Sequence, residues 1–198
     1  MIFDLVKKNR SYRGYNHSRK ISEAELKELV ECARLCASSV NVQPLKYYMA
    51  WEEDEVARIQ AHTAWAKGLP DLTLPHPGKE PTAFIIICQD LDIAKSETRH
   101  QRDVGVVAQT MLLAAVEKGL GGCMIGNFSP KRVSEELSFP ENLVPKLIVA
   151  FGEPDETVII KEVRNGESVN YYRDENDVHY VPKRRLEDVA VTRKSFCC

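Results

Sequence analysis

The chain has 198 residues, with 27 Lys and Arg against 29 Asp and Glu, and a formal net charge of −2. This balance gives no electrostatic case for binding nucleic acid or an anionic membrane surface, so any anionic ligand would be bound locally. The length suits one domain over residues 1–198 that buries roughly 70% of the surface exposed by the unfolded chain.

The sequence also lacks membrane and export signals. The longest apolar run, AFIIIC at residues 83–88, is far shorter than the ~20 residues that a membrane-spanning helix needs. The opening MIFDLVKKN does not have the basic-then-apolar order of a signal segment. We therefore expect a cytoplasmic protein with no membrane partner.

The early part of the chain predicts a short apolar helix and then a long amphipathic one. The long helix begins after Ser22, because SEAE forms a capping box between Ser22 and Glu25 and apolar residues follow at helical spacing. Asn41 and Pro44 then interrupt the periodicity. A strand over residues 47–51 and a helix over residues 53–67 come next.

The remainder of the chain mixes strands and helices without a regular βαβ alternation, which predicts an α+β fold. A helix over residues 102–118, capped by Gly119, is apolar on most of its circumference and must be covered by a sheet or another subunit. The sequence Asn165-Gly166 predicts a hairpin with a type I′ turn. The predicted elements are a proline-rich loop over 68–81, a buried strand over 83–89, the helix over 102–118, a short helix from Ser129 and Pro130, a strand over 146–154, the hairpin strands over 157–163 and 168–174, and a strand-like piece near residue 180.

The six cysteines and five histidines do not indicate a metal site. Their spacing lacks the paired CxxC motifs of zinc sites and the cysteine run of iron–sulfur proteins. We expect no metal, and reduced, mostly buried thiols. The cysteines are Cys32, Cys36, Cys88, Cys123, Cys197 and Cys198.

The glycine-rich stretch GLGGCMIG, residues 119–126, is not a dinucleotide-binding loop. Such a loop follows a strand and opens a helix, whereas this stretch follows a helix and enters a strand. Phosphate-loop, zinc-protease and nucleophile-elbow motifs are also missing from the sequence. If the chain is an enzyme, its chemistry is therefore expected to come from a cofactor.

Two basic pairs could bind one anion. Arg10 and Arg13 flank Ser11, and guanidinium groups suit a phosphate. Lys183 and Arg185 lie on one face of an extended segment, because alternate residues share a face. Each pair alone is also compatible with a solvated cluster of charges.

A polar stretch after the first long helix has a different character. Ser38, Ser39, Asn41 and Gln43 offer two hydroxyls and two carboxamides, which both donate and accept hydrogen bonds. Such groups suit a polyol chain or the edge of a heterocycle. A plain turn at the end of a helix is the alternative.

In this order and spacing, these segments resemble the nitroreductase family of FMN-dependent oxidoreductases over nearly the whole chain. The resemblance rests on NRSYRGY, ASSVNVQP, DVGVVAQTMLLAAVEKGLGGCMIGNF, LIVAFGEP and VPKRRLED. It implies an α+β sandwich, with a mixed and mostly antiparallel sheet flanked by helices, in an intertwined homodimer. One FMN would lie in each of two pockets at the subunit interface.

The resemblance also assigns roles to individual residues. Arg10, Ser11 and Arg13 match the family's phosphate and ribityl segment, and Lys183 with Arg185 match its C-terminal phosphate pair. The polar stretch Ser38, Ser39, Asn41 and Gln43 matches the segment that holds the partner's flavin. Met124, Ile125, Gly126 and Asn127 match the segment that passes the isoalloxazine ring, where a glycine permits close approach of the backbone.

Two positions depart from the family pattern. Asn9 stands where many relatives have a further Arg, which removes one possible phosphate donor. Ala37 stands where they have Pro, which makes the following turn less rigid.

The implied function is an FMN-dependent ping-pong oxidoreductase. It would transfer a hydride from NAD(P)H through flavin N5 to a nitroaromatic, a quinone or another small acceptor. A non-catalytic flavin carrier or sensor, and a dimeric interaction protein with an empty pocket, are the alternatives. The loop over residues 68–81 is the candidate for shaping substrate access.

Overall fold

The computed structural model describes residues 1–96 and 98–193. The backbone groups into two compact units, which are considered separately. The larger unit comprises residues 1–65 and 73–155, and the smaller comprises residues 66–72 with the chain from residue 156 onward. The single domain over residues 1–198 stays a prediction.

The larger unit contains a four-stranded sheet. Its strands are β1 (Leu45–Ala50), β2 (Ala83–Asp90), β3 (Gly121–Ile125) and β4 (Leu143–Gly152). They are arranged in the order β1-β2-β4-β3. Every neighbouring pair in this sheet is antiparallel.

Among the described residues of the larger unit, five α-helices accompany this sheet. They are α1 (Ile2–Lys8), α2 (Glu23–Arg34), α3 (Glu53–Ala61), α4 (Gln101–Glu117) and α5 (Pro130–Glu136). The capping box predicted at the start of α2 is confirmed, since Ser22 and Glu25 each accept the other's backbone N–H. Ser129 caps α5 with Pro130 in its first turn, also as predicted.

The sheet carries a hydrophobic core on each face, because side chains alternate along β2. Ile85 and Ile87 belong to a cluster that includes buried residues of α2 and α4. Phe84 and Ile86 belong to the opposite cluster, with buried residues of α3 and α5. This arrangement of helices around an antiparallel sheet confirms the predicted α+β sandwich.

Two boundaries differ from the sequence prediction. The helix α3 ends at Ala61 instead of residue 67, because the N–H of Ala64 donates to the carbonyl oxygen of Asn127 at 3.0 Å. That hydrogen bond ties the chain to the segment leaving β3 and stops the helix. The strand β1 begins at Leu45 and ends at Ala50, slightly before the predicted bounds.

The smaller unit contains a three-stranded sheet and a short helix. Its elements are β5 (Val158–Val163), β6 (Tyr172–Arg173), β7 (His179–Arg184) and α6 (Leu186–Val189). The strand β7 lies in the middle, parallel to β5 and antiparallel to β6.

The predicted hairpin between residues 157–163 and 168–174 is wrong. Gly166 adopts a left-handed φ of 90°, whereas Asn165 does not, so the turn is not type I′, which needs both residues there. β5 pairs with β7 over six residues, from Val158 with His179 to Val163 with Arg184. This longer ladder outcompetes local pairing with β6, which has only two residues.

Three further findings concern the described residues. None of their helices combines the length and the apolar character that crossing a membrane requires. Their four cysteines form no disulfide, while Cys197 and Cys198 lie outside the described residues. No group of three or more His, Cys, Asp or Glu among them is placed to hold a metal ion.

Candidate cofactor-binding site

The N-terminal basic segment, residues 10–13, lies along the edge strand β3. Ser11 forms a parallel bridge with Gly122, and the N–H of Tyr12 donates to the Gly122 carbonyl oxygen at 3.1 Å. The structure therefore brings the predicted phosphate segment next to the strand that leads into residues 124–127.

Arg10 has the surroundings of an anion-binding group. Its Nη2 donates to the carbonyl oxygen of Val6 at 2.8 Å, which fixes the side chain against the last turns of α1. Burial lowers the pKa of this guanidinium. Its Nε is buried without a hydrogen-bond acceptor, and none of the described carboxylates forms an ion pair with it. A partly buried cation in this state is suited to an added anion.

The other members of this segment also fit an anion site. Ser11 is exposed, so its hydroxyl is available to a ligand. Nη1 of Arg13 donates to the Ser11 carbonyl oxygen at 3.3 Å, which folds Arg13 back toward Ser11. Asn9, where relatives carry Arg, is buried as the C-terminal cap of α1 and adds no charge to the segment.

Residues 124–127 form the exit from β3, and their exposure differs. The side chain of Ile125 is 3% exposed and belongs to the core, so only its main chain could contact a ligand. Gly126 and Asn127 are exposed and Met124 is half-buried. A Cβ added to Gly126 would meet no atom within 4 Å, so the backbone there is open to close approach.

The serine turn, residues 38–43, links α2 to β1 and has a strained backbone. Val40, Asn41 and Gln43 have φ angles of 55°, 55° and 54°, in the left-handed region that a β-branched residue rarely enters. Val40 is 77% exposed, and the side chains of Asn41 and Gln43 are exposed as well. Such strain is often associated with binding sites, where surrounding contacts maintain it.

The hydroxyl of Ser38 faces inward. It donates to Oδ2 of Asp103 at 2.7 Å and accepts the backbone N–H of Gln43 at 3.0 Å. Ser38 therefore has no proton left for a ligand. The side chains of Asn41 and Gln43 are exposed, and Gln43 Nε2 donates to the Asn41 carbonyl oxygen at 3.2 Å. A cavity of about 130 Å³ lies beside this turn, and Ser38, Gln43 and Asp103 are among the residues that line it.

Asp103 and His100 were missed as functional candidates from the sequence. Asp103 is 6% exposed and His100 is 2% exposed, and His100 Nδ1 lies 3.2 Å from Asp103 Oδ2. Asp103 falls on the same face of α4 as Val107 and Met111. The sequence signal that could have identified Asp103 is a carboxylate within the apolar face of a helix, because a buried charge requires specific partners.

In the smaller unit, Lys183 and Arg185 differ in their surroundings. Lys183 is exposed on β7, and the structure gives it no ion pair with a described carboxylate. Nη1 of Arg185 lies 3.1 Å from Oε1 of Glu187, and its Nε lies 3.8 Å from Asp188, so its charge is partly compensated. Lys183 is thus the stronger candidate for an anion contact of this pair.

The loop over residues 68–81 and the residues just before it provide few candidates for contact with a substrate. Lys79 pairs with Asp155 at 3.1 Å, and Trp65 Nε1 donates to the Thr63 hydroxyl at 2.8 Å. A cavity of about 380 Å³ lies along α3, lined in part by Trp51, Val56 and Pro81. None of the predicted site residues lines this larger cavity.

Known proteins resemble this chain in sequence and in fold. Over 180 residues it is 24% identical to the oxygen-insensitive NADPH nitroreductase of Helicobacter pylori, covering 75% of this chain and 85% of that protein. A nitroreductase family protein from Streptococcus pneumoniae has the same fold, with a TM-score of 0.70, 18% identity, and coverage of 98% of this chain and 100% of that one. An FMN-dependent nitroreductase from Clostridium difficile matches with a TM-score of 0.63 and 22% identity, covering 78% of this chain and 88% of that one.

The match to a family model agrees with these similarities. The model of the nitroreductase family matches residues 6–153. That range includes the N-terminal basic segment, the serine turn and the exit from β3, which are the segments of the larger unit that carry predicted site residues. The chain belongs to the nitroreductase family, a family of oxidoreductases.

Proposed function

We propose that this chain binds FMN and uses NAD(P)H to reduce a nitroaromatic, a quinone or another small acceptor in a ping-pong reaction. The observation that carries the proposal is the partly buried, uncompensated guanidinium of Arg10 beside β3. The names of two relatives, one an NADPH nitroreductase and one an FMN-dependent nitroreductase, support the same cofactors.

The donor groups of the site suit the parts of FMN. Arg10, Ser11 and Arg13 would bind the phosphate, since charge-assisted hydrogen bonds from guanidinium groups suit phosphate oxygens. Lys183 and Arg185 are proposed as further phosphate ligands. When bound, FMN supplies the redox chemistry, taking a hydride at N5 and delivering reducing equivalents to the acceptor.

The remaining residues would orient the flavin ring. The open backbone at Gly126 and Asn127 would donate a main-chain N–H to the ring edge, with Met124 and Ile125 leading into it. The serine turn, through Ser39, Asn41 and Gln43, would contact the flavin of a partner subunit in a homodimer. Cationic and amide donors around the cofactor favour negative charge on it, which assists hydride acceptance.

The first experiment is to purify the protein and to record its absorbance between about 350 and 500 nm, at a protein concentration on the order of tens of micromolar. The apoprotein is then titrated with FMN. We expect saturable FMN binding and FMN-dependent oxidation of NADH or NADPH in the presence of a nitroaromatic or quinone. A protein that takes up no FMN would contradict the proposal. FMN binding without oxidation of either nicotinamide would instead support a flavin carrier or sensor.

A further inference from the structure

One carboxylate oxygen anchors the serine turn from inside the protein. Oδ2 of Asp103 accepts the Ser38 hydroxyl at 2.7 Å and the Ser39 N–H at 3.0 Å, and it lies 3.2 Å from Nδ1 of His100. A carboxylate only accepts hydrogen bonds, so Nδ1 of His100 is assigned the proton. Three donors therefore meet at one buried oxygen.

These contacts also stabilise the charged form of the carboxylate. Burial by itself raises the pKa of Asp103, but the hydrogen bonds from Ser38, Ser39 and His100 outweigh it and leave the pKa below its ordinary value. Asp103 is therefore ionised at neutral pH. A buried anion of this kind is costly to leave unpaired, which ties α4 firmly to its donors.

The same contacts close the turn on itself. Ser38 Oγ, held by Asp103, accepts the Gln43 N–H at 3.0 Å, and the Ser38 carbonyl oxygen accepts the Asn41 N–H at 2.8 Å. Between these anchored ends the backbone passes through the left-handed region at Val40 and Asn41. Each non-glycine residue there costs about 1–2 kcal/mol, so the turn would relax if its ends were released.

The two sides of the turn have separate roles in this arrangement. Ser38 and the Ser39 backbone face the protein and are held by α4. Asn41 and Gln43 face outward with their carboxamides exposed. The orientation of the outward groups thus depends on hydrogen bonds that end at Asp103.

We propose that Asp103, supported by His100, is a positioning residue that sets the serine turn in the conformation that contacts the flavin ring. This inference rests on the proposed function, because the turn must bind flavin for its conformation to matter. Asp103 touches no ligand in this scheme and acts through Ser38 and Ser39.

The test compares Asp103→Ala, Asp103→Asn, Ser38→Ala and the double variant Asp103→Ala/Ser38→Ala. FMN and riboflavin affinities are measured by flavin fluorescence, at a temperature where circular dichroism shows each protein to be folded. Val56→Ala is the control for stability alone, since Val56 is 6% exposed on α3, in the core cluster on the other face of the sheet from α4.

We expect Asp103→Ala to weaken FMN and riboflavin binding by a similar factor of at least about tenfold, because the turn acts on the ring and not on the phosphate. Asp103→Asn should retain part of the affinity, because its carbonyl oxygen still accepts the Ser39 N–H. The double variant should bind flavin no more weakly than Asp103→Ala, because both changes remove the same chain of hydrogen bonds. The absorbance band shape of bound flavin should change in these variants and not in Val56→Ala.

The outcomes separate the two proposals. A wild-type protein that binds no FMN would contradict the proposed function itself. Wild-type binding with undiminished affinity in Asp103→Ala, or an equal loss in Val56→Ala, would overturn the positioning role alone. If Asp103→Ala does not fold, Asp103→Asn and Ser38→Ala test the positioning role in its place. Unchanged flavin affinity and an unchanged flavin spectrum in both variants would overturn that role.

Discussion

The ring of Tyr12 lies so close to Gly121 that a Cβ added there would stand 2.5 Å from Tyr12 Cδ2. At the next position, a Cβ on Gly122 would stand 2.2 Å from the carbonyl oxygen of Ala150. Gly121 thus allows the N-terminal basic segment to pack directly on β3, and Gly122 allows β3 to lie close to β4 and to Leu112 of α4. The role of both glycines is close packing around β3, and they do not form a phosphate-binding loop.

We predict that Gly121→Ala mainly affects stability and that Gly126→Ala mainly affects FMN binding. Gly121→Ala should lower the free energy of unfolding by about 1–3 kcal/mol, because a rigid ring and Pro154 occupy the space. Gly126→Ala should leave stability nearly unchanged, since nothing lies within 4 Å, and should weaken FMN binding. Urea unfolding and FMN titration of both variants measure the two effects. Full FMN affinity in Gly126→Ala would contradict a close approach of the flavin there.

The N-terminal basic segment should be needed for FMN binding before it is needed for folding. We expect Arg10→Glu/Arg13→Glu to weaken FMN binding by roughly 100-fold or more, with a folded far-ultraviolet circular dichroism spectrum. The control is Lys131→Glu/Arg132→Glu on α5, which changes the net charge equally at two exposed positions. An equal loss of affinity in the control would show a general charge effect and contradict a local phosphate contact.

The parts of this fold that depend on local sequence were predictable. The capping box at Ser22 and Glu25, the buried strand β2 and the long helix α4 follow from residue types at short spacing, and all three are confirmed. Pairing between β5 and β7 was not predictable in this way. It joins residues about twenty positions apart, and the local turn signal at Asn165-Gly166 favoured a nearer partner.

In the candidate site, too, features set by local sequence were predictable and features set by distant contacts were not. The basic and amide side chains of Arg10, Arg13, Asn41 and Gln43 were identifiable from their chemistry. Asp103 was not, because its importance comes from tertiary contacts with a turn more than sixty residues earlier. The left-handed backbone at Val40 also runs against the preference of a β-branched residue, and only the fixed ends of the turn explain it.

Neighbouring residues at the end of β7 provide a matched pair for the C-terminal phosphate contact. Lys183 and Arg184 are both exposed and, being adjacent in a strand, point to opposite faces. We predict that Lys183→Gln weakens FMN binding by roughly tenfold and that Arg184→Gln does not. Titration of both apoproteins with FMN provides the comparison. Equal affinities in the two variants would remove Lys183 from the proposed phosphate ligands.

The start of α2 should show an acid-dependent loss of stability. The Arg19 guanidinium is the largest influence on Glu25, and together with the N–H and hydroxyl of Ser22 it lowers the pKa of that carboxyl to about 2, against an ordinary value of 4.5. A carboxyl group with a lowered folded-state pKa stabilises the protein above pH 4.5, and this contribution is lost as the pH falls toward 2.

We therefore expect Glu25→Gln to be less stable than the wild type by about 1 kcal/mol at pH 7, with the difference disappearing near pH 2. Urea unfolding at several pH values measures this difference. Glu23→Gln, in the same helical turn but paired with the exposed Lys27, should show a smaller change. A difference for Glu25→Gln that stays constant with pH would contradict the assigned ion pair.

The most direct test of FMN binding by the N-terminal basic segment compares FMN with riboflavin, which lacks the phosphate. Calorimetric titrations of wild-type and Arg10→Gln apoprotein with both flavins give four affinities. We predict that the wild type binds FMN at least about tenfold more tightly than riboflavin, and that Arg10→Gln reduces this ratio while leaving riboflavin affinity unchanged. Equal affinity of the wild type for the two flavins, or an equal loss of both in Arg10→Gln, would contradict a phosphate contact at Arg10.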